Sequence, residues 1–313
     1  MKPAILLIGA NGQVGRELAR VLPRVVEVTP LTRPQFDLTL PEGIRRVIRS
    51  FKPAVIVNAA ASTAVDQAES EEAIARAVNT IAPAVMAEEA KKIGAALIHF
   101  STDYVFDGTN TSPYREEDPP NPLNVYGRTK LEGERAIVAS GAAHLILRTS
   151  WVYATRGRNF LLTILRLAAE REELRIVRDQ TGAPTLSGEI AKATAQILAQ
   201  LSAKQGGAIS LGGISGVYHM TAAGETSWYE FAKAILEDAS NVQEDCAWFA
   251  AATGGRPLIA RRVVPITAAE YPTPARRPAY SVLSNARLAG TFSLQLPGWR
   301  EQLHSVFADA SPD

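Results

Sequence analysis

Short runs of apolar residues alternate with longer amphipathic stretches through the first half of this 313-residue chain. Apolar runs of this length, bounded by turn residues, are typical of strands that are buried on both faces of a parallel sheet. The alternation of strands with helices therefore predicts a doubly wound α/β fold on a parallel sheet, of the Rossmann type. The predicted strands are residues 4–8, 25–28, 54–58, 95–100 and 145–147.

The stretches between these runs predict helices at residues 14–22, 43–51, 69–93 and 125–140. Pro83 lies inside the third stretch. Because proline lacks the N–H group that a helix interior needs, we predict two helices there, the second capped by Asn79 or Thr80.

The second half is less regular, with helices predicted at 160–172, 187–201 and 227–239 and strands at 174–177 and 217–220. We predict a dinucleotide-binding domain over residues 1–152, its sheet completed by parts of residues 174–220. Residues 153–313 would form mainly a smaller C-terminal substrate-binding lobe. Doubly wound folds bind ligands outside the carboxyl ends of their strands, so a lobe over that edge would close a cleft.

Charge and composition narrow the class of protein. With 33 basic and 32 acidic residues the net charge is +1, which gives no electrostatic footprint for nucleic acid. No apolar run approaches the roughly 18 residues that cross a bilayer. The single cysteine, Cys246, fits a reducing compartment. We expect a cytoplasmic protein whose partner is a small molecule, with neither nucleic acid nor membrane involved.

Three glycines follow the first predicted strand directly and open the first helix. Gly9, Gly12 and Gly15 form a G-x-x-G-x-x-G motif that includes Gln13 and Val14. Glycine permits a tight turn and lets backbone N–H groups approach a pyrophosphate, whose charge the helix N-terminus favours. At the start of a strand–helix–strand unit the motif predicts a dinucleotide site rather than only a structural turn.

The type of dinucleotide depends on the end of the second predicted strand. An NAD-binding enzyme usually has a carboxylate there, whereas this chain has Arg33, which could bind a 2′-phosphate. This favours NADPH, with NADH as the weaker choice, unless Arg33 is simply a solvated surface residue. Asp37 and Leu38 are placed to reach the adenine end, and the small residues Ala60 and Ala61 would let the dinucleotide lie close to the backbone.

Tyr126 and Lys130 are four residues apart, which places them one turn apart on one helix face. A nearby ammonium favours phenolate and would lower the phenol pKa, as suits a proton donor in ketone reduction. Thr102, at a strand end, would hydrogen-bond the substrate carbonyl, with Ser101 as the rival for this role. His99, in the preceding strand, is interpreted as structural.

Longer segments of the chain resemble the dTDP-4-dehydrorhamnose reductase family of the extended short-chain dehydrogenase/reductases. The similarity extends in order over most of the chain. It is carried by residues 9–15, 57–66 and 69, 101–106, 122–130, 148–153, 179–185 and 271–278.

The resemblance implies an NADPH-dependent oxidoreductase that reduces the C4 ketone of dTDP-4-dehydro-L-rhamnose to dTDP-L-rhamnose. Tyr126 would donate the proton, and Lys130 would hold the nicotinamide ribose. The remaining cofactor residues would be Gly12, Gln13, Val14, Asp37, Leu38, Ala60, Ala61 and Thr63. The sugar would contact Thr102, Asp103, Trp151, Asn159, Gln180 and Trp228.

The family also raises the question of assembly, because some of its members are dimers joined through Mg²⁺ held by glutamates. Glu17 and Glu189 are the possible counterparts here, so both a monomer and a homodimer stay open. Two other functions stay open as well. One is a nucleotide-sugar epimerase or dehydratase on the same fold, and the other is a non-catalytic regulatory relative that binds a dinucleotide and a protein partner.

Overall fold

A computed structural model describes residues 2–33, 35–204, 209–240 and 246–308 of the chain. The described residues contain twelve strands, of which seven agree with the predicted runs to within about two residues at most ends and five were not predicted. They are β1 (Ala4–Ile8), β2 (Glu27–Leu31), β3 (Val55–Asn58), β4 (Ala96–Thr102), β5 (His144–Thr149), β6 (Val152–Tyr153), β7 (Glu173–Val177), β8 (Thr181–Gly182), β9 (Thr185–Leu186), β10 (Gly216–His219), β11 (Thr226–Ser227) and β12 (Arg262–Ile266).

Within the described ranges, six of these strands form one parallel sheet in the order β2-β1-β3-β4-β5-β10. The predicted doubly wound parallel sheet is therefore confirmed. The winding direction of the chain across the sheet reverses between β1 and β3, because β2 lies on one side of β1 and all later strands of this sheet lie on the other. Such a reversal opens a crevice at the carboxyl ends of the two strands, which is where ligands bind in this class of fold.

Helices cover both faces of the sheet. They are α1 (Gln13–Val21), α2 (Pro41–Phe51), α3 (Val65–Ala68), α4 (Glu72–Arg76), α5 (Ala82–Ile93), α6 (Val125–Ser140), α7 (Phe160–Ala168), α8 (Ser187–Lys204), α9 (Trp228–Ala239), α10 (Ala247–Thr253), α11 (Ala286–Phe292) and α12 (Trp299–Ala308). Short 3₁₀ turns are at Leu22–Arg24, Asp103–Val105, Gly212–Ile214 and Ala268–Glu270.

Alternate residues of each strand enter opposite cores. In β1, Ile5 and Leu7 pack beneath α1, α8 and α11, whereas Leu6 and Ile8 pack beneath α2, α5 and α6. Burial on both faces explains why the inner strands of the sheet are apolar at most positions, the pattern that identified them in the sequence.

The predicted break near Pro83 is wrong. Residues Ala77–Ile81 form a π-turn that joins α4 to α5 without a cap. The Asn79 side chain accepts from Ser62 N at 2.9 Å, and the Thr80 hydroxyl donates to the Thr129 carbonyl at 2.8 Å. A π-turn shifts the carbonyls that precede Pro83, so the helix accommodates the proline without ending.

The second half contributes one strand to the main sheet and builds its own core. β10 pairs with β5, as the proposed completion of the sheet requires, but β7 pairs with β12 outside it. Helices α7, α9, α10 and α12 pack around this smaller sheet. In the ranges described, no helix combines the length and the apolar character that crossing a membrane requires.

Candidate active site

A cleft of about 740 Å³ opens at the carboxyl ends of β1, β3 and β4, at the reversal in strand order. Most of the predicted site residues line it. These are Gly9, Gly12, Gln13, Val14, Arg33, Asp37, Leu38, Ala60, Ala61, Thr63, Thr102, Asp103, Tyr126, Lys130, Trp151 and Trp228. Their placement brings the candidate cofactor and catalytic residues into one cavity, while the role of each remains a prediction.

Three predicted residues do not line this cleft. A side chain at Gly15 would overlap the Gly9 carbonyl, so this glycine allows α1 to pack against the loop. Asn159 caps α7 and donates to the Gln13 side chain at 2.8 Å, which places it behind a cleft residue. Gln180 is half-buried between β7 and β8.

The glycine loop provides a close approach for an anionic group. Gly9 has a positive φ of 81°, and a Cβ there would collide with Ala60 across the cleft floor. Gly12 is the N-cap of α1 and supplies no side chain to cap it. The first N–H groups of the helix are therefore left for a ligand, and a dinucleotide pyrophosphate fits this position.

Helix α6 is fixed at the end that carries Tyr126. The Asn124 side chain accepts from Gly127 N at 2.8 Å, and the Glu69 carboxylate accepts from Val125 N at 2.8 Å. A side chain at Gly127 would overlap the Tyr104 carbonyl, and one at Gly133 would overlap the Asn79 carbonyl. The helix thus contacts its neighbours backbone to backbone at two points.

The phenol of Tyr126 is a weak acid in this setting. Burial raises its pKa to about 12, which the nearby Thr102 hydroxyl opposes and the Asp103 carboxyl reinforces. Tyr104 lies edge-on to it, with ring centroids 5.8 Å apart. A phenol with a raised pKa keeps its proton until a stronger base, such as a developing alkoxide, is present.

Lys130 has hydrogen-bond partners other than Tyr126, and its predicted effect on the phenol pKa stays a prediction. Its Nζ atom donates to the Phe100 carbonyl at 2.6 Å and lies 3.0 Å from His99 Nε2. The ammonium is not among the groups that shift the Tyr126 pKa, which is raised rather than lowered. Burial lowers the pKa of Lys130 itself to about 8, while Glu134 on the same helix opposes the change.

Thr102 and Asp103 form a hydroxyl and carboxyl cluster at the end of β4. The Thr102 hydroxyl donates to Asp103 Oδ1 at 3.1 Å, and Ser150 donates to Asp103 Oδ2 at 3.1 Å. Burial nevertheless raises the pKa of Asp103 to about 6. Ser101 also lines the cleft, and its buried hydroxyl lacks a hydrogen-bond partner among the described residues, so the choice between Ser101 and Thr102 stays open.

The possible Mg²⁺ site is not supported. Glu17 pairs with Arg20 at 2.9 Å, and Glu189 pairs with Lys192 at 2.7 Å. Each carboxylate is thus neutralised by a cation on its own helix. The described part of the chain contains no group of three acidic, histidine or cysteine side chains that could hold a metal ion.

Sequence reasoning missed several residues of this region. Tyr104 and the exposed Arg158 line the cleft, and Asn58 and His99 lie behind Lys130. Only Asn58 and His99 carried a usable signal, because each is a polar residue within an otherwise apolar buried strand. The contacts they make depend on the register between β3 and β4, which pairs Asn58 with His99.

Comparisons with known proteins agree with this geometry. The family model described as the RmlD substrate binding domain matches residues 1–311. A dTDP-4-dehydrorhamnose reductase of Burkholderia thailandensis is 52% identical over 297 residues, or 95% of each chain. That of Escherichia coli K12 is 42% identical over 300 residues, which cover 95% of this chain and 94% of the relative.

A solved structure extends the likeness to the whole fold. The crystal structure of dTDP-4-dehydrorhamnose reductase from Bacillus anthracis, in complex with NADP, superposes with a TM-score of 0.85. The alignment covers 99% of this chain and 100% of the B. anthracis chain, at 32% sequence identity.

Proposed function

Because this chain belongs to the family described as the RmlD substrate binding domain, we propose that it reduces dTDP-4-dehydro-L-rhamnose to dTDP-L-rhamnose. Its relatives from B. thailandensis and E. coli carry the name of that reductase. The enzyme is then an oxidoreductase of nucleotide-sugar biosynthesis, with a dTDP-linked keto-sugar as its substrate.

One observation carries the proposal. Thr102, Tyr126 and Lys130 line the same cleft as the glycine loop at Gly9 and Gly12. A proton donor, a carbonyl-binding hydroxyl and an anion-binding helix end are therefore arranged around one cavity. A non-catalytic dinucleotide-binding protein has no need of this combination.

The geometry supports a proposed task for each residue. NADPH, when bound, supplies the hydride for C4 of the sugar. Tyr126 gives its phenolic proton to the C4 oxygen as negative charge develops there, and the Thr102 hydroxyl stabilises the same oxygen. In the free protein the single O–H group of Thr102 donates to Asp103 at 3.1 Å, so it would turn from that carboxylate to the C4 oxygen in order to stabilise it. Lys130, which lines the cleft, would hold the nicotinamide ribose.

We infer that NADPH is preferred to NADH. Arg33 lines the cleft beyond the end of β2, and the relative from B. anthracis was solved with NADP. A guanidinium at this point offers two parallel hydrogen bonds to a 2′-phosphate. A cytoplasmic location, and a monomer or homodimer without Mg²⁺, complete the proposal.

The deciding experiment is turnover with dTDP-4-dehydro-L-rhamnose and NADPH. We expect loss of absorbance at the nicotinamide band together with formation of dTDP-L-rhamnose. An epimerase or dehydratase would convert a sugar nucleotide without net consumption of the cofactor. A regulatory relative would bind NADPH and convert nothing, so either outcome would overturn the proposal.

A further inference from the structure

A buried line of hydrogen bonds leads from the cleft floor to Lys130. Ala60 N donates to Asn58 Oδ1 at 3.1 Å, and Asn58 Nδ2 lies 3.0 Å from His99 Nδ1. His99 Nε2 lies 3.0 Å from Lys130 Nζ, which donates to the Phe100 carbonyl at 2.6 Å. The Asn58, His99 and Lys130 side chains are at most 1% exposed, so water cannot adjust the pattern.

The backbone N–H group at the start of this line fixes which atom donates in every later bond. The backbone N–H of Ala60 can only donate, so the Asn58 atom that faces it is the oxygen. The Asn58 amide nitrogen therefore donates to His99 Nδ1. A neutral imidazole has one N–H group, and a ring that accepts at Nδ1 carries its proton on Nε2. That proton points at Lys130 Nζ, and only an uncharged amine has a lone pair to accept it.

We propose that Asn58 and His99 form a positioning pair that favours the neutral amine form of Lys130 in the free enzyme, by presenting the Nε2–H group of His99 to its Nζ atom. The amine keeps two N–H groups, one of which donates to the Phe100 carbonyl. His99 thereby influences both the position and the proton affinity of Lys130, which faces the dinucleotide site. His99 itself does not line the cleft.

The surrounding charges are consistent with this assignment. On α6, Glu134 lies one turn beyond Lys130, but its carboxylate forms two hydrogen bonds with Arg148 of β5, at 2.7 and 3.0 Å. Tyr126, on the other side, is a neutral phenol. Burial holds the pKa of His99 well below 6.5, so the ring is uncharged at neutral pH. Burial also lowers the Lys130 pKa to about 8.

The charge of Lys130 can be measured without turnover. We would label the full-length protein with ¹³C-lysine and follow the Cε resonance of Lys130 against pH, identifying it by its loss in Lys130→Met. Asn58→Asp is the decisive variant. A carboxylate accepts from both Ala60 N–H and His99 Nδ1–H, which leaves Nε2 free to accept from an ammonium.

We expect the Lys130 midpoint, near pH 8 in the parent, to rise by about one pH unit or more in Asn58→Asp. The same substitution made on a His99→Leu background should lose most of this rise, because the effect passes through the ring. An unchanged midpoint in Asn58→Asp would overturn the proposal. So would an equal rise on the His99→Leu background, since the new carboxylate would then act through space alone.

A second variant keeps the test decisive if Asn58→Asp does not fold. His99→Gln can turn its amide carbonyl towards Lys130, so the midpoint should again rise, and a fixed midpoint contradicts the proposal. Activity gives a further readout that rests on the proposed function. The falling limb of kcat/KM, which reports groups of the free enzyme, should move to higher pH in Asn58→Asp. The resonance titration stands even if no keto-sugar is reduced.

Discussion

Trp151 stacks face to face on Trp228, with ring centroids 3.4 Å apart and planes inclined by 5°. Trp151 follows β5 of the main sheet with a positive φ of 46°, and Trp228 begins α9 of the second half. Both rings line the cleft. The stack therefore joins the two halves of the chain at the wall that the sugar nucleotide is proposed to contact.

Trp228→Ala should weaken substrate binding more than turnover. Aromatic pairs contribute about 0.5–1.5 kcal/mol beyond area burial, so KM for the sugar nucleotide should rise roughly 2- to 12-fold. Steady-state kinetics measure this, with Trp228→Phe expected to lose less. Trp248 packs on Phe249 and Phe307 away from the cleft, so Trp248→Ala should leave KM in place. An unchanged KM in Trp228→Ala would remove the stack from the site.

Tyr126→Phe should retain cofactor binding and lose turnover. Removal of a general acid costs about 10²- to 10⁴-fold, which single-turnover kinetics would separate from any change in the NADPH dissociation constant. Tyr104 is the competing phenol, because it too lines the cleft. Tyr104→Phe should cost less than about tenfold if Tyr126 donates the proton. The opposite ranking would assign the proton to Tyr104.

Arg33→Ala should erode the preference for NADPH, mainly through KM. The exposed guanidinium is expected to contribute about 1–2 kcal/mol at low salt, or roughly five- to thirtyfold in kcat/KM. Arg46→Ala is the matched control, because it removes one positive charge from an exposed position of α2 outside the cleft. If Arg46→Ala changes the NADPH to NADH ratio as much as Arg33→Ala does, the effect is general electrostatics rather than a contact.

Asp103→Asn should make the protein more stable at pH 8 while it loses activity. The Asp103 pKa is raised from 3.8 to about 6, so the stability it contributes is complete below about pH 4 and is lost as the pH rises through 6. A rise of this size corresponds to about 3 kcal/mol at pH 8. Urea unfolding at pH 4 and pH 8 measures the difference in free energy of unfolding between Asp103→Asn and the parent. This difference should disappear at pH 4.

Asp107 provides a control of opposite sign. Hydrogen bonds from Asn121 and Thr109 hold its pKa at about 2, so Asp107→Asn should lower stability at pH 8. Stabilisation by both substitutions would contradict the role of burial at Asp103.

Glu89→Gln should weaken the contact between α2 and α5 and so lower the free energy of unfolding. The buried Glu89 carboxylate binds Arg49 at 2.6 and 2.9 Å and Lys92 at 2.8 Å, and its pKa is lowered to about 2. Charge-assisted bonds of this kind are worth about 1.5–3 kcal/mol. Because the folded pKa lies below the ordinary value of 4.5, this stability is present above pH 4.5 and lost as the pH falls towards 2.

Glu88 is the matched control for this prediction, since it is half exposed and, among the residues that the structure describes, pairs with Arg45 alone, at 2.8 Å. Glu88→Gln should shift the free energy of unfolding by less than about 1 kcal/mol. Equal losses in chemical denaturation of the two variants would show that burial of Glu89 does not strengthen its ion pairs.

The sequence predicted those features that depend on neighbours along the chain. Gly9 and Gly12 join a strand to a helix within seven residues, and the pair of Tyr126 and Lys130 is one helical turn, so local spacing was sufficient. The family resemblance is confirmed by the match over residues 1–311. The predicted domain boundary at residue 152 and the individual binding roles stay predictions.

Features that depend on distant residues were not predicted. The π-turn at Ala77–Ile81 turns Asn79 towards Thr129, fifty residues later. β7 pairs with β12 across nearly ninety residues. Lys130 Nζ lies 3.0 Å from His99 Nε2, thirty-one residues earlier. No local propensity encodes these contacts, because each requires the sheet and its helices to be assembled first.

The two glycines of α6 let the helix that carries Tyr126 pack directly against the backbone of its neighbours. Gly127 lies against the Tyr104 carbonyl and Gly133 against the Asn79 carbonyl, so a larger residue at either position would push the helix away from its neighbours. The phenol of Tyr126, the proposed proton donor, is therefore held near the end of β4 by contacts within the first half of the chain, to which Asn124 adds a hydrogen bond to the Arg276 carbonyl. We therefore expect a change in sugar preference to come from substitutions in the α9 wall of the cleft. The distance from the Tyr126 phenol to the end of β4 should stay the same.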